Sequence, residues 1–284
     1  MITLNDFAKQ KKVFLVAHRG SSEKHFENTI DAYLDAVDSN VKMIEVDLQV
    51  TKDNQVIACH NSEINCLVDN SQKPIDNYNY NEINQVLAEN SKTIEKNCES
   101  NIYIYKPETP FDAKKFNVIT LPLLADVIKN IYDKAYLILE IKSNFTEKDI
   151  DKAEVILNEV KSCNYLEQTL FASFDVNILT KLKELYPECH LAVIKNPYKE
   201  VTPSDYLKLL SYDAFICSVV EINDRISDDA HKNNIFLGIY STDTLEQLEL
   251  VKKYKANAIV TNYPSKTLEL IKENNLFDLE DLLL

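Results

Sequence analysis

Glycine is almost absent: Gly20 and Gly238 are the only two in 284 residues. Two isolated glycines build neither a G-x-G-x-x-G loop nor a Walker A loop, so the phosphate cradles of dinucleotide-binding proteins and P-loop NTPases are excluded. Asparagine, the next most tolerant residue in left-handed backbone, is abundant and is expected to fill many turn positions. Positive charge is also scarce, 31 Lys and Arg against 45 Asp and Glu, for a net charge of −14 and a pI near 4.9. A partner held on a basic face, nucleic acid above all, is therefore not expected, and docking on an anionic membrane is disfavoured. An anionic substrate would need a local positive centre, from Arg, Lys or a bound metal. No apolar run approaches the about 18 residues of a membrane span. The first residues, with Asn5, Asp6, Lys9, Gln10, Lys11 and Lys12, lack the apolar stretch of a secretory signal. The six cysteines are scattered, with no Cys-x-x-Cys, which reads as thiols in a reducing compartment rather than a disulfide frame or a zinc site. A cytoplasmic protein is expected.

What the sequence does contain is a recurring alternation. Short runs rich in Val, Ile, Leu and Phe occur at 13–17, 43–47, 136–142, 169–173, 190–194, 214–218, 235–239 and 257–261. Amphipathic stretches lie between them. Ile30, Tyr33, Leu34 and Val37 follow the helical spacing, with Asn28 or Thr29 as a cap; Leu245, Leu248 and Val251 do the same behind Thr242 or Asp243. Further helices are expected at 175–186 and 223–233. Repeated strand–helix units predict a parallel sheet covered by helices. Eight units in about 250 residues is the size of a (β/α)₈ TIM barrel, with a doubly wound open sheet as the alternative. No Pro- or Ser-rich linker divides the chain, so residues 1–284 are expected to form a single barrel domain.

Two features interrupt the alternation. The run 56–60 follows the second strand too closely for a helical crossover, so a hairpin around Asp53-Asn54 is expected. Pairing Lys52 with Gln55 sets Asp47 opposite His60 and returns a histidine to the carboxyl end of the second strand. After it, residues 61–118 form an irregular stretch rich in Asn, Tyr, Ser and Lys, with one helix expected near 79–89. Its length is unusual for a barrel loop, and it is expected to be a small insertion over the barrel mouth, a lid or specificity module if it is more than a surface excursion.

Charged groups stand at strand ends, the catalytic face of such a barrel. His18-Arg19-Gly20 ends the first strand. In Glu45-Val46-Asp47 the strand period of two puts both carboxylates on one face, and two inward acids are costly unless a cation holds them. Glu140-Ile141-Lys142 repeats the parity in an otherwise apolar run. Each pair alone is equally well read as a structural ion pair that fixes strand register; three sets on three successive barrel strands are harder to explain that way. Taken together, Glu45, Asp47 and Glu140 offer hard oxygen ligands suited to Mg²⁺ or Ca²⁺. His18 and His60 suit acid–base work near neutral pH, and Arg19 and Lys142 add positive charge for a phosphate. These are the parts needed for metal-assisted phosphodiester cleavage. Cys59 alternates to the opposite face from His60, and no Ser–His–Asp set supports acyl hydrolysis. His25 is a possible substrate neighbour; His190 and His231 read as structural.

These pieces, with Glu27-Asn28-Thr29, Thr51-Lys52-Asp53, Ser173-Phe174-Asp175, Gly238-Ile239-Tyr240-Ser241 and Thr261-Asn262-Tyr263-Pro264, run in one order along nearly the whole chain. In that order they resemble the glycerophosphodiester phosphodiesterase family. The resemblance implies a (β/α)₈ barrel with an insertion after the second strand and a divalent metal, Mg²⁺ or Ca²⁺, on Glu45, Asp47 and Glu140. It implies His18 and His60 as the acid–base pair, with Arg19 and Lys142 on the phosphate. The expected reaction is hydrolysis of a small-molecule glycerophosphodiester to an alcohol and sn-glycerol 3-phosphate. A lysophospholipase D-like activity on the same barrel and a non-catalytic binding barrel are the rivals; intact histidines and carboxylates argue against the latter. Departures from the family pattern are Phe26 for Pro, Asn61 for Asp after the second histidine, Tyr240 for Trp, Asn262 for Asp and Asn54 for Gly.

Overall fold

The computed structural model describes residues 4, 12–63, 74–89, 120–277 and 282–283. Eight parallel strands close into a barrel: β1 (Val13–His18), β2 (Met43–Val50), β4 (Tyr136–Ile141), β5 (Thr169–Ser173), β6 (His190–Ile194), β7 (Ala214–Ser218), β8 (Phe236–Tyr240) and β9 (Ala258–Thr261), while β3 (Val56–Ala58) stands outside the ring. Each barrel strand pairs with the next, and β1 pairs with both β2 and β9, which completes the ring. The expected (β/α)₈ TIM barrel is the observed fold, and the open sheet is excluded by that closure. Among the described residues no helix is long and apolar enough to cross a membrane.

Strand parity sorts the barrel into two apolar layers. Leu15, Ile44, Val46, Leu137, Phe171 and Phe215 face outward into the layer beneath the helices. Phe14, Val16, Met43, Ile138, Ala172 and Ala192 face inward and fill the lumen. The inward series continues at the carboxyl ends as His18, Glu45, Asp47 and Glu140, so one periodicity supplies both the packed floor and the charged mouth.

Several helices begin where a side-chain cap satisfies a free N–H group. Thr29 caps α1 (Ile30–Asp38). After α2 (Tyr80–Glu89), α3 (Leu124–Ile131), α4 (Glu147–Ile150) and α5 (Lys152–Ser162), Asp175 caps α6 (Val176–Leu185). Beyond α7 (Pro203–Leu207), Asn223 caps α8 (Asp224–Lys232). The helix α9 (Leu245–Lys253) is capped by Thr244 in a capping box with Gln247, not by Thr242 or Asp243. Asp243 is left for another task, described below. The last helix is α10 (Pro264–Asn274). As the glycine shortage leads one to expect, Asn28, Asn40, Asn54, Asn164, Asn234 and Asn275 occupy left-handed backbone.

The expected hairpin forms with a register one residue different. β3 runs antiparallel to β2 with Leu48 opposite Ala58 and Val50 opposite Val56, and Cys59 N–H donates to the Asp47 carbonyl at 2.9 Å. The cause is the turn. Lys52-Asp53-Asn54 is a three-residue loop, closed by Thr51 N–H on the Gln55 carbonyl at 3.0 Å, with Asn54 at φ 58°. Cys59, not His60, therefore stands opposite Asp47. His60 still reaches the mouth because the ladder ends at Ala58 and the chain leaves strand geometry there. Cys59 packs away from the mouth, with Phe26, Ile57, Ile75, Ile83 and Leu87.

The insertion at 61–118 lies in good part outside the described residues. Of it, Ile75, Ile83 and Leu87 pack against Phe26 and Ile57 beside the hairpin, and the expected helix is present as α2. At the other end β10 (Leu282–Leu283) pairs in parallel with Val13 and Phe14.

Gly20 is the one glycine whose missing side chain is required. It sits at φ 84°, and a Cβ there would stand 2.7 Å from the Ala32 carbonyl carbon and 2.7 Å from its Cβ, in the first turn of α1. Gly20→Ala should lower stability by about 2–4 kcal/mol, from the left-handed penalty plus overpacking. Thermal unfolding checks this, and a variant with unchanged Tm would show that the loop relaxes freely.

Candidate active site

The turn after β1 is built to aim a backbone donor and an arginine into the mouth. Arg19 takes φ 61°, and this left-handed step turns its backbone N–H onto Glu45 Oε2 at 3.0 Å. Its guanidinium is braced by Glu27, through Nη1 at 2.9 Å from both carboxylate oxygens, and by Asp47 Oδ2, at 3.0 Å from Nε. Asn28, also left-handed, locks Asp47 from the other side. Its Nδ2 donates to Asp47 Oδ2 at 2.8 Å, and its Oδ1 accepts from the Asp47 backbone N–H at 3.1 Å and from the Tyr33 hydroxyl at 2.9 Å.

Lys142 completes the charge pattern from the end of β4, with Nζ 2.7 Å from Asp47 Oδ1 and an ion pair to Glu140. Asp47 is fully buried, which by itself raises its pKa, but Lys142 and Arg19 outweigh burial and hold it well below the usual carboxylate range. Glu45 goes the other way. Burial, then the negative charges of Asp47 and Glu140, push it well above the ordinary value. Burial and Asp47 also raise Glu140, against the pull of Lys142. Lys142 and Arg19 are raised in turn by these carboxylates, despite burial.

The seven residues expected from the sequence are brought together. Six of them, His18, Arg19, Glu45, His60, Glu140 and Lys142, line one cavity of about 240 Å³ at the mouth, and Asp47 lies beneath them, ion-paired with Arg19 and Lys142. Oxygens of Glu45, Asp47 and Glu140 approach within 4.8 Å of one another. The opposite wall is apolar and aromatic, with Phe174, Ile194, Ile216 and Tyr240. A second, polar cavity of about 260 Å³ shares His60 and Lys142 and is otherwise lined by Gln49, Asn61, Ser62, Ser143 and Asn144.

Both histidines are held neutral. His18 falls to about 3, mainly by burial and then by the neighbouring Arg19. His60 falls to about 4, by burial and Lys142. His18 Nδ1 lies 2.6 Å from Asn262 Oδ1, and its Nε2 faces Glu45 Oε2 at 3.9 Å. His60 Nδ1 lies 3.1 Å from Asn61 Oδ1. His25, a possible substrate neighbour on sequence grounds, instead approaches Asp35 at 3.6 Å. His190 pairs with Asp213 and His231 with the Lys255 carbonyl, both structural.

Sequence reasoning underweighted the supporting residues. Glu27 and Asn28 are named in the motif, but their bracing of Arg19 and Asp47 is invisible without the left-handed turn. Asp243 reads as a helix cap, yet it accepts from Asn262 N–H at 2.8 Å, Asn262 Nδ2 at 2.7 Å and the Thr261 hydroxyl at 2.9 Å. The signal available in the sequence was Thr244, a better cap three residues before Gln247.

Comparison with known proteins agrees with this geometry. The model of the Glycerophosphoryl diester phosphodiesterase family matches residues 18–266. The chain is 24% identical over 266 residues to a glycerophosphodiester phosphodiesterase of Caldanaerobacter subterraneus, covering 92% of this chain and 99% of that one. It is 21% identical over 265 residues to a glycerophosphodiester phosphodiesterase of Bacillus altitudinis, covering 92% and 98%. Among solved structures it is similar to an Oleispira antarctica phosphodiesterase in complex with the product sn-glycerol-3-phosphate. The TM-score is 0.75 at 19% identity, covering 93% of this chain and 99% of that one.

Proposed function

The chain belongs to the glycerophosphoryl diester phosphodiesterase family, and from that premise we propose that it hydrolyses glycerophosphodiesters to an alcohol and sn-glycerol 3-phosphate with a divalent metal and two histidines. The observation that carries the reading is the buried carboxylate triad at the floor of a cavity lined by a histidine from each of two neighbouring segments.

The triad fits a hard cation. Among the described residues the buried Glu45 Oε1 has no hydrogen-bond partner, in a site where three carboxylates face two cationic side chains. An unpaired buried carboxylate oxygen costs several kcal/mol unless something positive compensates it. Glu45, Asp47 and Glu140 would hold Mg²⁺ or Ca²⁺, since a set of carboxylate oxygens without thiol ligands favours these ions. When bound, the ion supplies positive charge that polarises a phosphoryl oxygen.

The chain's own groups do the rest. Lys142 stands between the two cavities and can bind a phosphate while each ester arm enters one of them. Arg19, fixed by Glu27 and Asp47, adds a second positive charge to the same wall. His18 and His60 are neutral at pH 7, and the arriving phosphate's negative charge raises their basicity. One takes a proton from the attacking hydroxyl, of water or of the substrate's glycerol, and the other protonates the leaving alkoxide. The six scattered cysteines, with no Cys-x-x-Cys, are in keeping with a reducing, cytoplasmic setting.

Incubation with glycerophosphocholine and Mg²⁺ or Ca²⁺ should release glycerol 3-phosphate and choline. Faster cleavage of lysophosphatidylcholine would move the assignment to the lysophospholipase D-like reading, with the acyl chain on the Phe174–Tyr240 wall. Release of neither product would refute both.

A further inference from the structure

The His18 ring is oriented by more than its own environment. Its Nδ1 meets Asn262 Oδ1 at 2.6 Å. Which end of an amide faces a ring is settled by what the other end meets, and here that is Asp243 Oδ2, 2.7 Å from Asn262 Nδ2. A carboxylate oxygen can only accept, so the amide NH₂ must face Asp243 and its carbonyl must face His18. Asp243 is itself fixed, because Oδ1 accepts from the Asn262 backbone N–H and the Thr261 hydroxyl. With a carbonyl opposite Nδ1, the neutral imidazole must carry its proton on Nδ1. Nε2 is then bare and faces Glu45 Oε2 at 3.9 Å.

We propose that Asp243, acting through Asn262, is a positioning residue that selects the Nδ1–H tautomer of His18 and aims its Nε2 lone pair at the reaction. This rests on the reading that His18 moves a proton, and it adds the requirement for a relay of two residues reaching in from beyond the cavity, one of them contributed by the β8–α9 loop. Neither residue lines the cavity, so neither is expected to touch substrate.

The relay makes an inversion testable. In Asp243→Asn the new carbonyl must stay opposite the Asn262 backbone N–H and the Thr261 hydroxyl, since both are donors there. Its NH₂ then faces the Asn262 amide, which must rotate, and an NH₂ is presented to His18 Nδ1. That forces the proton to Nε2, the wrong tautomer for a base. The expected loss is about 10²–10⁴-fold in kcat, the share of acid–base catalysis, with KM little changed. Adding Asn262→Asp to the same chain restores an acceptor opposite His18, and its second carboxylate oxygen accepts from the amide introduced at position 243. This double variant should recover at least about tenfold of the loss, a coupling within the range of contacting pairs.

Nitrogen-15 NMR of the wild-type protein reads the tautomer directly and depends on no variant folding. An Nδ1–H imidazole at His18, switched to Nε2–H in Asp243→Asn and back in the double variant, supports the relay. An Nε2–H wild-type ring, or Asp243→Asn with full kcat, overturns it. His18→Ala separates this from the functional reading: full activity there would refute proton transfer by His18, while the wild-type spectrum still decides the relay.

Discussion

Neutralising Glu45 and neutralising Asp47 should both abolish turnover and yet move stability in opposite directions. Among the described residues, every side-chain hydrogen-bond or ion-pair partner of Asp47 is a donor: Asn28 Nδ2, Arg19 Nε and Lys142 Nζ. In Asp47→Asn the new NH₂ replaces an oxygen that now faces donors, and two buried cations lose their shared counter-charge. Glu27 and Glu140 still pair with them, so the cost should sit near the low end for a broken buried pair, about 3 kcal/mol. That corresponds to a fall in Tm of roughly 5 °C. In Glu45→Gln the amide oxygen keeps the bond from Arg19 N–H, and the NH₂ takes the place of the partnerless Oε1, facing carboxylates that can accept from it. The metal-free variant should therefore match or exceed the wild type in Tm. Metal affinity should fall in both by more than the about 10–100-fold that loss of an outer partner costs. Calorimetry with Mg²⁺ and Ca²⁺, beside unfolding curves on metal-free protein, checks the two halves. A Glu45→Gln protein clearly less stable than wild type would mean that Glu45 is a structural partner rather than a waiting ligand.

His18→Ala and His60→Ala should each lower kcat by about 10²–10⁴-fold while leaving metal binding intact, because neither ring is assigned to the ion. Both rings are buried against cations and held neutral. Removing either relieves desolvation rather than breaking an ion pair, so the folded protein should survive. Steady-state kinetics with glycerophosphocholine gives the test. Near wild-type turnover in either variant removes that histidine from the mechanism.

The barrel was legible because its signal is repetitive: eight apolar runs of strand length, alternating with amphipathic stretches, leave few topologies open. The charged mouth was legible for the same reason, since a period of two puts Glu45 with Asp47 and Glu140 with Lys142 whatever the details. Turn chemistry carried the errors. A two-residue hairpin and the three-residue loop at Lys52-Asp53-Asn54 differ by one position in register, and nothing in the flanking strands separates them. His60 reached the site only because the chain departs from the ladder after Ala58. Asp243 was hidden by a plausible local role, as a cap, that Thr244 in fact fills. Long-range hydrogen bonds such as Asn262 to His18 have no local pattern and follow only from the closed barrel.

The most direct test of the account is glycerol 3-phosphate release from glycerophosphocholine by protein stripped of metal and then titrated with Mg²⁺ or Ca²⁺, with bound metal measured in the same samples. The account expects no release from the stripped protein and recovery that rises with the ion bound at the Glu45, Asp47 and Glu140 site. It also expects no such recovery in Glu45→Gln at the same metal concentrations. Full release from the stripped wild-type protein would contradict it.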